Sequence, residues 1–170
     1  MISPTPISDA LARVAASRTT AMTDRAMELR AAGRDIISLS VGEPDFATPP
    51  HVITAAKAAL DAGDTKYTAV PGTQRLREAA ALHFQRDLGI TVPPAQVIVS
   101  AGGKQAIFHA LLATLNAGDE VLIPAPWWVS YPEIVRFAGA DVVALPTDAA
   151  GGFRITAVQL DAAITPRTRW

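Results

Sequence analysis

At 170 residues, 49% of them apolar, the chain is long enough for one domain, or one domain plus an extension, with a packed core. Its 15 basic and 16 acidic residues leave a formal net charge of −1 and are interspersed, which argues against nucleic acid or an anionic membrane as a partner. The chain has no cysteine, which excludes disulfides, thiolate nucleophiles and thiolate metal sites.

The first twenty residues predict an arm rather than a targeting segment. Arg13 and Arg18 interrupt any apolar core of signal-peptide type. No apolar run approaches the length that crosses a membrane. We therefore expect a cytoplasmic protein.

The next segment predicts a helix, a strand and a turn. The helix covers residues 22–32, with Thr23 or Asp24 as its cap and Gly33 as its stop. The apolar residues at 36–39 are typical of a short strand. Glycine and proline indicate a turn over residues 41–45.

Two more helices follow, joined by an irregular loop. Pro50 is a favoured first-turn residue and marks the start of one helix, which ends at residues 61–64. The loop covers residues 65–72 and contains Tyr67. Thr73 caps the second helix, whose apolar residues form one stripe at helical spacing.

From residue 97 onward, strands alternate with helices. Strands separated by helices of this length indicate parallel βαβ units with right-handed crossovers. The prediction is therefore an α/β fold preceded by a helical arm. The expected strands are 97–100, 120–123 and 141–145, and the expected helices are 103–115 (apolar nearly all round, hence buried), 131–138 and 156–163.

Gly102, Gly103 and Lys104 stand where the first of these strands meets its helix. Amides at a helix N-terminus can bind a phosphate, and glycines let the backbone approach it. The segment is neither a dinucleotide fingerprint nor a P-loop. A plain tight turn between strand and helix remains an alternative.

Trp127 and Trp128 follow the next strand, at the sheet edge where ligands bind in open α/β folds. At least one of the two should be packed, and the other could stack on a planar ring. Taken alone, Gly42 is read as a turn glycine and Tyr67 as a surface ring. The histidines have no partner at ligand spacing, so metal binding is not expected.

The order of these motifs resembles the class I/II aminotransferases, which are pyridoxal-phosphate-dependent enzymes of fold type I. The similarity is greatest to their bacterial aspartate/prephenate branch and covers the chain from about residue 10. The segments that carry it are SVGEPDF (40–46), KY before PG (66–72), LRE (76–78), GGKQA (102–106), PWWVSYP (126–132) and ITPRT (164–168).

The resemblance implies a role for particular residues. The backbone around Gly102, Gly103 and Lys104 would hold the cofactor phosphate, and Trp128 would stack on the pyridine ring beside the substrate. Tyr67 would reach the cofactor of the other subunit in a homodimer. Gly42 would lie against the substrate α-carboxylate. Residues 1–45 would be the arm and a small-domain segment, and 46–170 the first part of the cofactor-binding large domain.

Two departures from the family pattern limit what the resemblance implies. Ala15-Ala16-Ser17 stands where close relatives read Lys-Pro-Ser, which weakens aspartate or prephenate as a substrate. The Schiff-base lysine has no counterpart in these residues, because Lys57, Lys66 and Lys104 match other positions. We therefore expect no catalytic residue here, an inactive 170-residue chain, an incomplete fold, exposed apolar surface and poor solubility.

Other functions remain open. Shared cofactor contacts do not fix the reaction, so a β-lyase or decarboxylase of the same fold type is one alternative. A non-catalytic fragment that binds a phosphate ester is another. A purely structural α/β domain would leave the paired tryptophans beside the glycine turn unexplained.

Overall fold

The computed structural model describes residues 6–40 and 42–170. Spatial contacts divide them into two compact units. The first unit contains the residues up to 40 together with Ile107–Trp170, and the second contains Gly42–Ala106. In chain order the elements are α1 (Asp9–Ala12), α2 (Arg18–Ala31), α3 (Pro50–Asp61), α4 (Gln74–Leu88), a 3-10 turn (Pro94–Gln96), α5 (Gly103–Thr114), β1 (Glu120–Ala125), α6 (Ser130–Phe137), β2 (Asp141–Pro146) and α7 (Ala157–Ala163).

Serine and threonine side chains cap the N-termini of several of these helices. The hydroxyl oxygen of Thr73 accepts a hydrogen bond from the amide of Leu76 at 3.3 Å, as expected for the cap of α4. The predicted start of α2 was wrong, because Ser17 caps the helix and the helix begins at Arg18. Thr23 lies inside α2, where its hydroxyl donates to the carbonyl of Thr19 at 3.0 Å.

The first unit contains the expected parallel βαβ arrangement. β1 pairs with β2 in parallel, with Glu120 opposite Asp141 and Ala125 opposite Pro146, and α6 connects the two strands. The apolar side chains of α5, β1, α6 and the approach to β2 form the core of this unit. Its buried members are Leu111, Leu115, Val121, Ile123, Val135 and Ala140.

The last residues pair with the other edge of β1. The amide of Glu120 donates to the carbonyl of Arg167 at 2.8 Å, and the amide of Leu122 donates to the carbonyl of Trp170 at 2.8 Å. The buried carboxylate of Glu120 binds the hydroxyl of Thr165 and the guanidinium of Arg167. β1 therefore has hydrogen-bonded neighbours on both sides.

In the second unit, a loop and an extended segment approach closely. The guanidinium of Arg77 on α4 donates to the carbonyls of Pro94 and Val97. The amide of Val99 donates to the carbonyl of Pro71 at 3.0 Å. Gly72 adopts a φ of +101°, and a Cβ there would lie 2.6 Å from Cγ2 of Val99. Only glycine fits this approach without displacement.

Three expectations from the sequence were wrong. Residues 36–39 and 97–100 have no regular secondary structure and no partner strand among the described residues, and a strand requires a ladder of hydrogen bonds. The apolar helix α5 is also only partly covered: Leu111 is buried, whereas Leu112 is 39% exposed. The expected turn at 41–45 is a bend at 45–46, and Val41 lies outside the described residues.

The expectation of exposed apolar surface is confirmed. Ile37 and Leu39 are almost fully exposed, as are Phe46 and Val70. None of the helices in the described part of the chain is long and apolar enough to span a bilayer.

Candidate functional site

The glycine turn before α5 leads directly into the N-terminus of the helix. Gly102 has a φ of +84°, and its amide donates to the carbonyl of Ser100 at 2.9 Å. The backbone ladder of the helix begins with the amides of Gln105 and Ala106, which both donate to the carbonyl of Gly102. An α-helix leaves its first-turn amides without acceptors in its own ladder. These amides, including that of Gly103, form the positive end of the helix dipole.

The space above this turn is open. A Cβ placed on Gly102 or on Gly103 would meet no atom within 4 Å. Backbone amides at a helix start and the exposed Lys104 make a donor set suited to a phosphate monoester. The side-chain oxygen Oε1 of Gln105 accepts a hydrogen bond from the backbone amide of Ala101, at the start of the turn. These residues fit the phosphate of pyridoxal phosphate.

The two tryptophans have different surroundings in the first unit. Trp127 packs against the core, whereas Trp128 is 53% exposed. The loop that carries them leaves the carboxyl end of β1 through a cis peptide bond between Ala125 and Pro126. The hydroxyl of Thr147 donates to the carbonyl of Ala125 and ties the start of this loop to the residue after β2. The exposed indole of Trp128 presents surface on which an aromatic ring can stack.

The remaining predicted site residues lie in the second unit. Tyr67 is fully exposed. Gly42 is also exposed, and a Cβ there would meet no atom within 4 Å. The structure thus places Gly42, Tyr67 and Gly102–Lys104 in the second unit and Trp128 in the first.

Among the described residues, no three histidine, aspartate or glutamate side chains are grouped so that they could hold a metal ion. His83 instead pairs with Asp87 at 2.8 Å on α4. The neighbouring Arg86 donates to Asp87 and holds the pKa of this carboxyl below its usual value. The amide of Asn116 likewise lowers the pKa of Asp119, and Arg169 adds to the effect.

Sequence reasoning missed two sets of contacts that shape the first unit. The arm binds α6 through Arg13 and Glu133, and Arg167 binds Glu120. Each links residues far apart in the chain, so no local period or motif could have revealed it.

Comparison with known proteins gives consistent results. The profile of the family "Aminotransferase class I and II" matches residues 34–170. The chain is 56% identical over 164 residues to the aspartate/prephenate aminotransferase of Cereibacter sphaeroides, covering 96% of this chain and 41% of that protein.

Solved structures agree with the sequence match. The aspartate aminotransferase of Thermus thermophilus with maleate superposes with a TM-score of 0.93 at 46% identity, covering 97% of this chain and 43% of that one. The aspartate aminotransferase of Rhizobium meliloti gives 0.93 at 42% identity, covering 98% and 42%. The chain therefore spans about two fifths of the length of these relatives.

Proposed function

Because this chain belongs to the class I and II aminotransferase family, we propose that the complete protein transfers an amino group between an amino acid and a 2-oxo acid, using pyridoxal phosphate. The family depends on this cofactor, which fixes the chemistry available. The observation that carries the proposal is the family match over residues 34–170, which includes the open glycine turn and the exposed Trp128. The activity belongs to the complete protein, since this chain spans about two fifths of its relatives.

The described residues supply binding and orientation. The backbone at Gly102, Gly103 and Lys104 would bind the phosphate, and Trp128 would fix the plane of the ring by stacking. When bound, pyridoxal phosphate supplies an electron sink for the α-carbon of the amino acid. The protein's own contribution here is to hold ring and phosphate so that this carbon meets its reaction partner in one orientation.

The proposal includes an assembly and a domain division. Tyr67 would bind the phosphate in the partner subunit of a homodimer, and its full exposure in the single chain supports this role. The backbone of Gly42 would lie against the substrate carboxylate. Residues 1–45 would form the arm and part of a small domain, residues 46–170 would begin the large domain, and the enzyme would work in the cytoplasm.

We assign no covalent catalytic role to the described residues. Lys57 lies on α3, Lys66 precedes Tyr67 and Lys104 belongs to the phosphate turn. Transamination by this cofactor requires a lysine that bonds to it and moves the α-proton. The 170-residue chain by itself is therefore expected to show no turnover.

The test uses the protein expressed from its complete coding frame and loaded with pyridoxal phosphate. Aspartate is the first amino donor to try, because relatives are named for it, followed by aromatic amino acids. Stoichiometric conversion of the cofactor to its pyridoxamine form, reversed by a 2-oxo acid, is the expected result. Release of carbon dioxide, or of ammonia with pyruvate, without that conversion would instead identify a decarboxylase or a β-lyase.

A parallel measurement on the 170-residue chain addresses the non-catalytic alternative. If the full frame also fails to convert the cofactor, and the short chain binds pyridoxal phosphate as a stable soluble protein, the chain is a binding module. We expect the opposite pattern, with turnover by the complete protein.

A further inference from the structure

The two strands of the first unit are also bonded through a side chain, at the edge where the tryptophan loop begins. The last opposed residues of the parallel pair are Ala125 on β1 and Pro146 on β2. One residue further on, the half-buried Thr147 donates from its hydroxyl to the carbonyl of Ala125. Because Ala125 ends β1, this bond fixes the point at which the chain leaves the sheet. Ligands of open α/β folds bind at this same edge, beyond the carboxyl ends of the strands.

The loop that follows is short and is also held further along. Residues 126–129 separate β1 from α6. The side chain of Trp127 packs against the buried core. The carbonyl of Trp128 accepts a hydrogen bond from the amide of Tyr131 at 3.0 Å, in the first turn of α6. In so short a connection, a displacement of Ala125 is passed on to the backbone of Trp128.

Helix α7 holds the segment that carries Thr147. Gln159 on α7 donates from Nε2 to the carbonyl of Pro146 at 3.3 Å. Its Oε1 accepts the amide of Thr156 at 2.9 Å, while the hydroxyl of Thr156 accepts the amide of Gln159 at 3.2 Å. This reciprocal pair is a capping box, which fixes the first turn of the helix and with it the side chain of Gln159. One amide side chain therefore ties the start of α7 to the residue before Thr147.

We propose that Thr147 is a positioning residue for the cofactor ring: its bond to Ala125, supported by Gln159, sets the place of the loop from which Trp128 stacks on pyridoxal phosphate. The inference rests on the proposed function for the stacking by Trp128. The role of Thr147 is indirect, since it acts through the carbonyl of Ala125. Its effect is to hold the indole in place before the ring binds, which lowers the cost of ordering the loop on binding.

Hydrogen exchange in the protein from the complete coding frame, without added cofactor, tests the hold on the loop. Thr147→Val keeps the shape of the side chain and removes the hydroxyl. In this variant the amide of Tyr131 should exchange about 3–10-fold faster, the factor that one hydrogen bond supplies. Thr147→Ser retains a hydroxyl and should recover most of the protection. Thr54→Val is the matched control and should change nothing at Tyr131, because Thr54 also donates to a backbone carbonyl, that of Pro50 on α3. Unchanged exchange at Tyr131 in Thr147→Val would overturn the proposal.

A double-mutant cycle on the holoenzyme tests whether Thr147 acts through Trp128. Thr147→Val should raise the Kd for pyridoxal phosphate about 3–10-fold and alter the visible circular dichroism of the bound cofactor, which reports the orientation of its ring. In Trp128→Ala no indole remains to be positioned, so adding Thr147→Val should raise the Kd by less than about twofold. Effects of the two substitutions that multiply would show that Thr147 acts elsewhere and would refute the positioning role.

Gln159→Glu separates positioning from the stability of α7. At neutral pH the glutamate keeps an acceptor oxygen for the capping box but has no hydrogen to donate to Pro146. The free energy of unfolding should stay close to that of the wild type, while the Kd for pyridoxal phosphate rises about 2–5-fold. A wild-type Kd would contradict the supporting role of Gln159. Absence of transamination in the unmodified protein would refute the proposed function, and exchange at Tyr131 would still decide whether Thr147 holds the loop.

Discussion

Two glycines show how single residues shape the second unit in different ways. Gly103 has open space around it and a backbone that other residues can adopt, so its value lies in leaving the helix N-terminus accessible. Gly72 has a positive φ and a crowded neighbour, so its value lies in close packing. Substitutions at the two positions should therefore affect different properties.

At Gly103, charge should change cofactor binding without loss of stability. Gly103→Glu places a carboxylate at the helix N-terminus, where it interacts favourably with the dipole by about 0.3–1 kcal/mol but repels a phosphate. We expect the Kd of the complete protein for pyridoxal phosphate to rise at least about tenfold. Gly103→Gln is the isosteric neutral control and should weaken binding much less. The Kd of each variant is measured by fluorescence titration. An equal loss of affinity for pyridoxal phosphate in the two variants would contradict a phosphate site at this turn.

At Gly72, any Cβ should destabilise the protein. Gly72→Ala combines backbone strain with a contact of 2.6 Å to Val99, so we expect a loss of about 2–3 kcal/mol in the free energy of unfolding. Gly63→Ala is matched in φ, at +74°, but has no atom within 4 Å, and it should lose only about 1 kcal/mol. The double variant Gly72→Ala/Val99→Ala should recover part of the difference. Urea unfolding gives the free energy of unfolding of all three variants. Equal losses of stability in Gly63→Ala and Gly72→Ala would disprove the close approach of Gly72 to Val99.

At the scale of elements, β1 organises the first unit because it is bonded along both edges. β2 lies on one side, and residues 167–170 lie on the other. The contact that fixes this second edge is the buried carboxylate of Glu120 with Thr165 and Arg167. A buried charge is costly unless it is fully paired, so this cluster sets where the last segment can attach.

The contribution of the Glu120 cluster to stability can be measured by removing the guanidinium of Arg167. Arg167→Met should lower the free energy of unfolding by about 1–3 kcal/mol, because Glu120 stays buried with fewer donors. Arg25→Met removes an ion pair with Glu28 in which both side chains are about two-thirds exposed, and it should change stability by less than about 0.5 kcal/mol. A loss at Arg167 no larger than that at Arg25 would mean that the cluster contributes nothing beyond a surface pair.

Elements with local signals were predictable from the sequence. Thr73 was correctly predicted as the cap of α4, a helix was correctly predicted near residues 156–163, and the alternation of strands and helices from residue 97 predicted the parallel pair β1 and β2. The predicted family and the incomplete α/β fold of type I are confirmed by the comparisons. The roles of Gly42, Tyr67, Gly102–Lys104 and Trp128 stay predictions.

Failures occurred where structure depends on distant partners. Residues 36–39 have the composition of a strand, but pairing requires a neighbour that local composition cannot specify. The start of α2 was misplaced because Ser17, Thr23 and Asp24 are all acceptable caps, and the choice among them depends on the surrounding chain. The hydrogen bonds between the N-terminal arm and α6 join residues 118 to 124 apart, which no sequence window covers.

At the scale of the whole molecule, burial is uneven between the two units. The buried apolar residues of the described chain lie in the first unit, whereas α3 and α4 in the second contain no buried residue. Leu60, Leu82 and Leu88 are each more than 60% exposed. A protein that exposes this much apolar surface remains soluble only when another protein surface buries it.

This imbalance predicts the behaviour of the 170-residue chain in isolation. We expect several-fold enhancement of the fluorescence of the dye ANS, self-association in sedimentation and a broad thermal transition, since exposed apolar surface binds the dye and other chains. The protein from the complete coding frame, at equal concentration, is the control and should bind little dye. A monomeric 170-residue chain that unfolds in one sharp transition and does not enhance ANS fluorescence would contradict this expectation.

The hydrogen bonds between the N-terminal arm and α6 also have a consequence for synthesis on the ribosome. Ala15 is translated 118 residues before Glu133, its partner. At ~5–20 residues per second the arm waits roughly 6–24 s for α6 to exist. During that interval Leu11 and Val14, which line a groove of the first unit together with residues of α6 in the folded protein, are available to chaperones. The segment made earliest in the described chain thus acquires its tertiary contacts late, and slowing translation between the two would prolong its exposure.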